Sequence, residues 1–150
     1  MKYKGIRHNI LNDAPFVGAL IIANQCSMPC KDCLNEHLKD NKYTIENTPQ
    51  EIIDIVKNNK LNQGIILSGL EWTEQPYDLI QIVKYALKDN LEVIIYTHHN
   101  EKDFFNIVPE LVGSPIYIKF GLYNEKLITN DNISHTVQLA TSNQYIKYFG

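Results

Sequence analysis

Long apolar runs are missing from this chain of 150 residues. The longest, at residues 16–23, falls well short of the roughly 20 residues that cross a bilayer. It also starts too late, and lacks the basic flank and cleavage site, for a secretory signal. The expectation is a cytoplasmic protein that engages no membrane. A basic surplus is missing too. Fourteen Lys and Arg stand against seventeen Asp and Glu, a net charge of −3, whereas general nucleic-acid binders carry a positive excess. Repeats, low-complexity tracts and linkers are absent, so a single domain over residues 1–150 is expected. With 44% hydrophobic and 21% charged residues, the composition suits a globular domain with a real core.

Cysteine is scarce. There are three, all between Cys26 and Cys33. An odd number so closely spaced would staple almost nothing, which excludes a disulfide framework. Three thiols on one loop of a reducing-compartment protein suggest metal instead.

What is present reads as alternating strands and helices. Residues 16–23 form a short continuous apolar run, as expected of a strand buried on both faces. Thr48, Pro49 and Glu51 mark a helix start, with a capping Thr, a first-turn Pro and a capping-box Glu. Ile52, Ile53 and Val56 give that helix its apolar face. A second strand is predicted over 64–68, a second helix over 77–88 and a third strand over 93–97. A short helix over 102–108 and a fourth strand over 115–120 follow, and the tail over 136–148 has room for one more strand. This alternation predicts an α/β fold with mostly parallel strands. In such folds chemistry collects in the loops after the strands' C-terminal ends. The cysteine loop, residues 68–72, Thr97–His99 and residues 119–121 would all share that edge.

The cysteines are spaced C-x3-C-x2-C. Thiolates this close can wrap corners of one iron–sulfur cube, which usually takes four cysteines. Having three would leave one iron open to a substrate or cofactor, much as a catalytic zinc keeps an open position. A closed zinc site of Cys26, Cys30, Cys33 and His37 is the competing arrangement, although such sites usually present their ligands as two separated pairs. Three unliganded cysteines in a loop are the remaining one.

The C-x3-C-x2-C motif after a strand resembles the signature of the radical S-adenosylmethionine enzymes. Cys33-Leu34-Asn35-Glu36, Ile66-Leu67-Ser68-Gly69-Leu70-Glu71 and Thr141-Ser142-Asn143-Gln144 are similar to motifs of their smallest branch, the activating enzymes of anaerobic ribonucleotide reductase. The resemblance spans nearly the whole chain. It departs at Leu70, where a second Gly is usual, at Trp72, where Pro is common, and at Asp32 and Leu34 around the third cysteine. Leu70 would resist a positive φ or a close backbone approach, so either the turn is rebuilt or cofactor affinity is altered.

The resemblance implies an open, partial (β/α) barrel of the radical S-adenosylmethionine type, since 150 residues cannot close the eight units that take about 250. It implies a 4Fe-4S cluster on Cys26, Cys30 and Cys33 whose open iron chelates S-adenosyl-L-methionine. Reductive cleavage would then lead to a glycyl radical on a glycine-bearing loop of the reductase catalytic subunit, with flavodoxin or ferredoxin as electron donor. By position, Gly69, Leu70 and Glu71 would meet the cofactor's amino group, largely through backbone atoms. Asp32 would offer backbone to the adenine, and Thr97 and Lys119 would complete the site, with Lys119 pairing with the carboxylate. The competing roles are a solvated or capping carboxylate for Glu71 and an exposed strand end for Lys119. His98 and His99 should point to opposite faces if the backbone is extended, and so should not chelate one ion. Tyr96, Tyr117 and Tyr123 are expected to pack beside the sheet. Asn143 and Gln144 either satisfy backbone groups near the mouth or contact the cofactor.

Overall fold

A computed structural model describes residues 1–26 and 44–150. Its frame is a seven-stranded sheet. The chain enters through β1 (Lys2–Ile10), β2 (Gly18–Ala23) and β3 (Ile45–Glu46). Then come α1 (Pro49–Asn58), β4 (Gly64–Ser68), α2 (Pro76–Lys88), β5 (Glu92–Tyr96), α3 (Glu101–Ile107) and β6 (Tyr117–Phe120). The hairpin strands β7 (Ile133–Ser134) and β8 (Val137–Gln138) precede the last strand, β9 (Tyr145–Tyr148). The sheet order is β3-β1-β2-β4-β5-β6-β9. The neighbours β2, β4, β5 and β6 pair in parallel, while β1 and β9 pair antiparallel at the flanks. The sheet is therefore parallel at its centre and ends in two edges, β3 and β9.

Alternation along the central strands sorts their side chains between two faces, as a period of two requires. Ala19, Ile21, Ile65, Leu67, Val93, Ile95 and Ile118 share one core with Ile52, Ile53 and Val56 of α1, Leu79, Ile82, Val83 and Ala86 of α2, and Phe104 of α3. Ile66 and Ile94 face the other way and pack with Ala14, Val137, Leu139 and Ile146. Helices α1, α2 and α3 thus lie on one face. Coil and the short hairpin cover the other. Among the described residues no helix is long and apolar enough to cross a membrane.

The capping box at α1 forms as its sequence indicates. The Glu51 amide donates to Thr48 Oγ1 at 3.2 Å and the Thr48 amide to Glu51 Oε1 at 2.9 Å. The strand expected at 16–23 begins two residues later, and that expected at 115–120 begins at Tyr117, past Pro115, which has no amide for the ladder. The tail over 136–148, expected to hold one strand, holds two, β8 and β9.

The larger departure is β1, which puts an antiparallel strand ahead of the one read as first. Lys2, Lys4, Arg7, His8 and Asn9 break any apolar run in it. Its strand state comes from pairing with β2, interrupted by irregularities at Tyr3/Gly5 and Arg7/Ile10, the latter beside Asn9 at φ 58°.

Candidate functional site

The parallel strands deliver their C-terminal ends to one mouth. Cys26 follows β2, and Ser68, Gly69, Leu70 and Glu71 follow β4. Tyr96, Thr97 and His98 end β5, and Lys119, Gly121, Leu122 and Tyr123 end β6. These residues and Gln144 line a single cavity. The Glu71 amide donates to Gln25 O at 3.0 Å, which ties the turn after β4 to the start of the cysteine segment. Cys26 is half-buried there. Cys30, Cys33, Asp32, His37 and the stretch Leu34 to Glu36 lie outside the described residues.

Gly69 makes this turn possible. It holds φ +90°, and a Cβ there would sit 2.6 Å from Ile22 Cγ2. Leu70 is not among the described residues with positive φ; it is 8% exposed and packs into the helix-side core. The conformational demand expected at position 70 therefore falls on position 69, where glycine is retained, and Leu70 strains nothing. Gly69→Ala should lower stability by about 2 kcal/mol or more through positive φ and overpacking together. Denaturant unfolding checks this. A loss below about 0.5 kcal/mol would mean that the turn relaxes freely.

Glu71 is neither solvated nor a simple cap. It is 3% exposed, and its carboxylate gathers four donors. Oε2 accepts from the Thr73 amide at 3.1 Å and from Thr73 Oγ1 at 2.8 Å. Oε1 accepts from the His98 amide at 2.8 Å. Thr97 Oγ1 lies 3.1 and 3.2 Å from the two oxygens. The amide bond to Thr73 does cap the short 3-10 turn at Trp72–Glu74, but the larger effect is to join the ends of β4 and β5. Trp72, at 0% exposure, sends its indole N–H to Ile21 O at 3.2 Å. It is a core residue of this turn, not a member of the mouth.

Thr97 is buried, with its hydroxyl committed to Glu71 while accepting from the His99 amide at 3.2 Å. Lys119 is also buried, at 8% exposure, which overturns the exposed strand end. Its Nζ donates to Gly121 O at 3.3 Å and stands 5.4 Å from the centre of the Tyr96 ring. Burial lowers its pKa to about 8, with the Glu71 charge opposing the fall. Tyr96 accordingly forms part of the mouth rather than packing beside the sheet, and its hydroxyl donates to Asp13 O at 2.7 Å. Tyr117 does pack on the sheet, against Phe16 and Tyr148.

The histidines correct another expectation. The backbone bends at residues 98 and 99 instead of staying extended, and the two rings come together with centroids 4.1 Å apart. His98 Nε2 lies 3.6 Å from Glu71 Oε1, and His99 Nε2 bonds Thr73 Oγ1 at 3.1 Å. Burial holds His98 below the ordinary imidazole pKa against the pull of Glu71, so at neutral pH it meets the carboxylate as a neutral ring. Among the described residues no three His, Cys, Asp or Glu side chains converge on a metal position.

Asn143 and Gln144 satisfy backbone groups. Asn143 Nδ2 donates to Leu122 O at 2.9 Å and Gln144 Nε2 to Gly121 O at 3.3 Å. They hold the 121–122 wall of the mouth, and Gln144 also lines it. Thr73, buried and bonded to both Glu71 and His99, was not singled out from the sequence. Its one legible sign is its place two residues after a capping acid.

The arrangement defines an α/β domain that brings a thiol-bearing segment, a glycine turn and a buried ammonium to one edge of a parallel sheet. The chain belongs to the 4Fe-4S single cluster domain family, whose model matches residues 15–117, the stretch that contains all three cysteines. No curated protein matches the sequence. Membership supports a 4Fe-4S cluster over the zinc arrangement. The residues fit such a group: three thiols suit three irons, and the mouth beside Cys26 carries polar groups for whatever occupies the fourth.

Proposed function

We propose that this protein is a radical S-adenosylmethionine enzyme that activates a partner anaerobic ribonucleotide reductase by generating a glycyl radical. The observation that carries the reading is the convergence on one mouth of Cys26, Gly69, Leu70, Glu71, Thr97 and Lys119, drawn from four strand ends. The parallel strand centre, with the described helices packed on one face, supports an open, partial (β/α) barrel.

In this reading Cys26, Cys30 and Cys33 hold three irons. When bound, the cluster supplies one electron that splits the sulfonium of S-adenosylmethionine. The chain's own residues bind and orient. The backbone of Gly69 to Glu71 receives the cofactor's amino group and Asp32 offers backbone to the adenine. Glu71 and Thr97 act by fixing the turn, since their side chains are already bonded to one another. Among the described residues Lys119 makes one hydrogen bond, to Gly121 O, and an ammonium with three protons has others to offer the cofactor carboxylate. Flavodoxin or ferredoxin serves as donor, and the reductase presents its glycine-bearing loop, in the cytoplasm.

The test is anaerobic reconstitution with iron and sulfide, reduction, addition of S-adenosylmethionine and assay of 5′-deoxyadenosine, followed by electron paramagnetic resonance with the reductase present. Formation of 5′-deoxyadenosine and a glycyl radical is the expected result. A well-formed cluster that never cleaves the cofactor, with the reductase supplied, would leave a binding module. Cleavage without a glycyl radical would indicate a small radical S-adenosylmethionine enzyme acting on another peptide or small molecule.

Lys119 gives this reading a pH signature. The charged ammonium binds a carboxylate, so affinity for S-adenosylmethionine should weaken about tenfold per pH unit above pH 8. Lys119→Met should bind roughly ten- to a hundredfold more weakly and lose that dependence. Titrations between pH 7 and 9.5 check both, and an unchanged profile in the variant would rule out Lys119 as the carboxylate partner. Without ligand the sign reverses. Between pH 8 and the ordinary lysine range the unfolded chain holds a proton that the native chain has lost, so this group's contribution to stability rises with pH.

A further inference from the structure

An open sheet ends in edge strands, whose outward backbone groups are a template for any further strand. At β9 that edge is closed by side chains. The Phe149 amide donates to Ile116 O at 3.0 Å, on the β6 side. Alternate residues of an antiparallel strand face its neighbour, so the backbone groups of Ile146, and of Gln144 just before the strand, turn outward. Among the described residues no strand pairs with that outer side. Asn132 Nδ2 instead donates to Gln144 O at 2.8 Å. Ser134 Oγ donates to Ile146 O at 3.4 Å and accepts from the Ile146 amide at 3.2 Å. Two side chains, spaced two residues apart, thus match two outward positions of β9 with the same spacing.

The hairpin that carries Ser134 is held firmly in place. Ser134 pairs with Val137 across it, and Val137 and Leu139 are buried with Ile94 and Ile146. Asn132 Nδ2 also donates to Thr141 O at 2.8 Å, and Asn132 O accepts from the Leu139 amide at 2.8 Å. The turn residues His135 and Thr136 have φ 48° and 69°. Glycine or asparagine usually supplies such a pair, and a β-branched threonine there is strained. The strand so covered, Tyr145-Ile146-Lys147-Tyr148, is rich in strand formers, and both of its tyrosines are exposed.

We propose that Asn132 and Ser134 guard the β9 edge, and that the partner they exclude is a second copy of this chain, pairing antiparallel through β9. A twofold axis makes an edge strand its own complement. Centred on Ile146, such a pairing would exchange the amide and carbonyl of Ile146 between the two copies, the same groups that Ser134 engages. It would set Lys147 opposite Tyr145 of the partner subunit, so no like charges meet across the strands. The guard works because one hydroxyl supplies both halves of the missing ladder, a proton for the carbonyl and a lone pair for the amide. Ile146 then gains no hydrogen bond from a second strand. Neither Asn132 nor Ser134 lines the mouth, so the inference stands apart from the proposed activity.

The experiment compares wild type, Ser134→Ala, Ser134→Thr and the double variant Asn132→Ala/Ser134→Ala, each as the whole chain under anaerobic, reducing conditions. Sedimentation over a range of protein concentrations follows the monomer–dimer equilibrium, and hydrogen exchange at the Ile146 amide locates the contact. Ser134→Ala and the double variant should dimerise about thirtyfold more tightly than wild type, the worth of the two backbone bonds exchanged. In both, exchange at Ile146 should slow as concentration rises. Wild type should exchange slowly at every concentration, and Ser134→Thr, which keeps the hydroxyl, should behave like it. Ser134→Ala carries the test alone if the double variant does not fold. Equal association of all four proteins would overturn the proposal. So would dimers whose Ile146 amide exchanges at a concentration-independent rate, because the contact would then lie elsewhere. Ser134→Thr dimerising as tightly as Ser134→Ala would also overturn it, since the hydroxyl would not be what closes the edge.

Discussion

Cys26→Ser should fold normally and hold no stable 4Fe-4S cluster. The residue follows β2 and is half-buried at the mouth, while the core beneath it is made by Ile21 and Ala23. Loss of the thiol therefore opens little space and should change unfolding free energy by about 0.5 kcal/mol or less. A serine hydroxyl, with a far higher pKa than a thiol, does not replace the thiolate toward iron. Cys30→Ser and Cys33→Ser should likewise hold no stable cluster. Iron and sulfide analysis after anaerobic reconstitution, beside denaturant unfolding of the iron-free proteins, checks this. Wild-type iron content in all three variants would remove the cysteines as ligands.

Glu71→Ala should be the most damaging single change to the fold of the mouth. It strips the acceptor from two backbone amides, those of Thr73 and His98, and from the hydroxyls of Thr73 and Thr97, all near a carboxylate 3% exposed. An unsatisfied buried donor costs about 1–3 kcal/mol. Hydroxyls can turn to other partners and amides cannot, so a total of roughly 3–5 kcal/mol is expected. Glu71→Gln is the sharper test. Its shape is nearly unchanged, but its amide nitrogen must face a backbone N–H that can only donate, and a loss of about 1–3 kcal/mol follows. S-adenosylmethionine affinity should fall in both variants, because the turn that would carry the amino group is no longer fixed. Urea unfolding and equilibrium binding supply the two readouts. A Gln variant within about 0.5 kcal/mol of wild type would show that the carboxylate does not organise the turn.

Removing that carboxylate also acts on Lys119. The charge of Glu71 is what partly offsets burial at the ammonium. Without it the pKa falls further, and the pH above which carboxylate binding weakens moves down. The turn and the ammonium are thus coupled through one side chain, although position 71 and position 119 belong to different strand ends.

Much of the frame is legible in the chain because its signals are local. The central strands are continuous apolar runs, as burial on two faces demands, and α1 carries its own capping box in Thr48, Pro49 and Glu51. The cysteine spacing needs no fold to be recognised, since all three thiols lie within eight consecutive residues. Gly69 could be suspected from its turn. Tertiary structure decided what depends on partners distant in sequence. Strand β1 has no apolar run of its own and exists as a strand because β2 supplies its ladder. The Glu71 carboxylate is buried because Thr97 and His98 arrive from another strand to bond it. A bend in the backbone, which side-chain alternation cannot anticipate, brings the rings of His98 and His99 into contact. Asn143 and Gln144 become wall supports only once the carbonyls of Gly121 and Leu122 lie beside them. Hydrogen bonds across the sheet are long-range in sequence and short-range in space. A linear pattern therefore records which groups are available to make them, and the packed sheet selects which pairs meet.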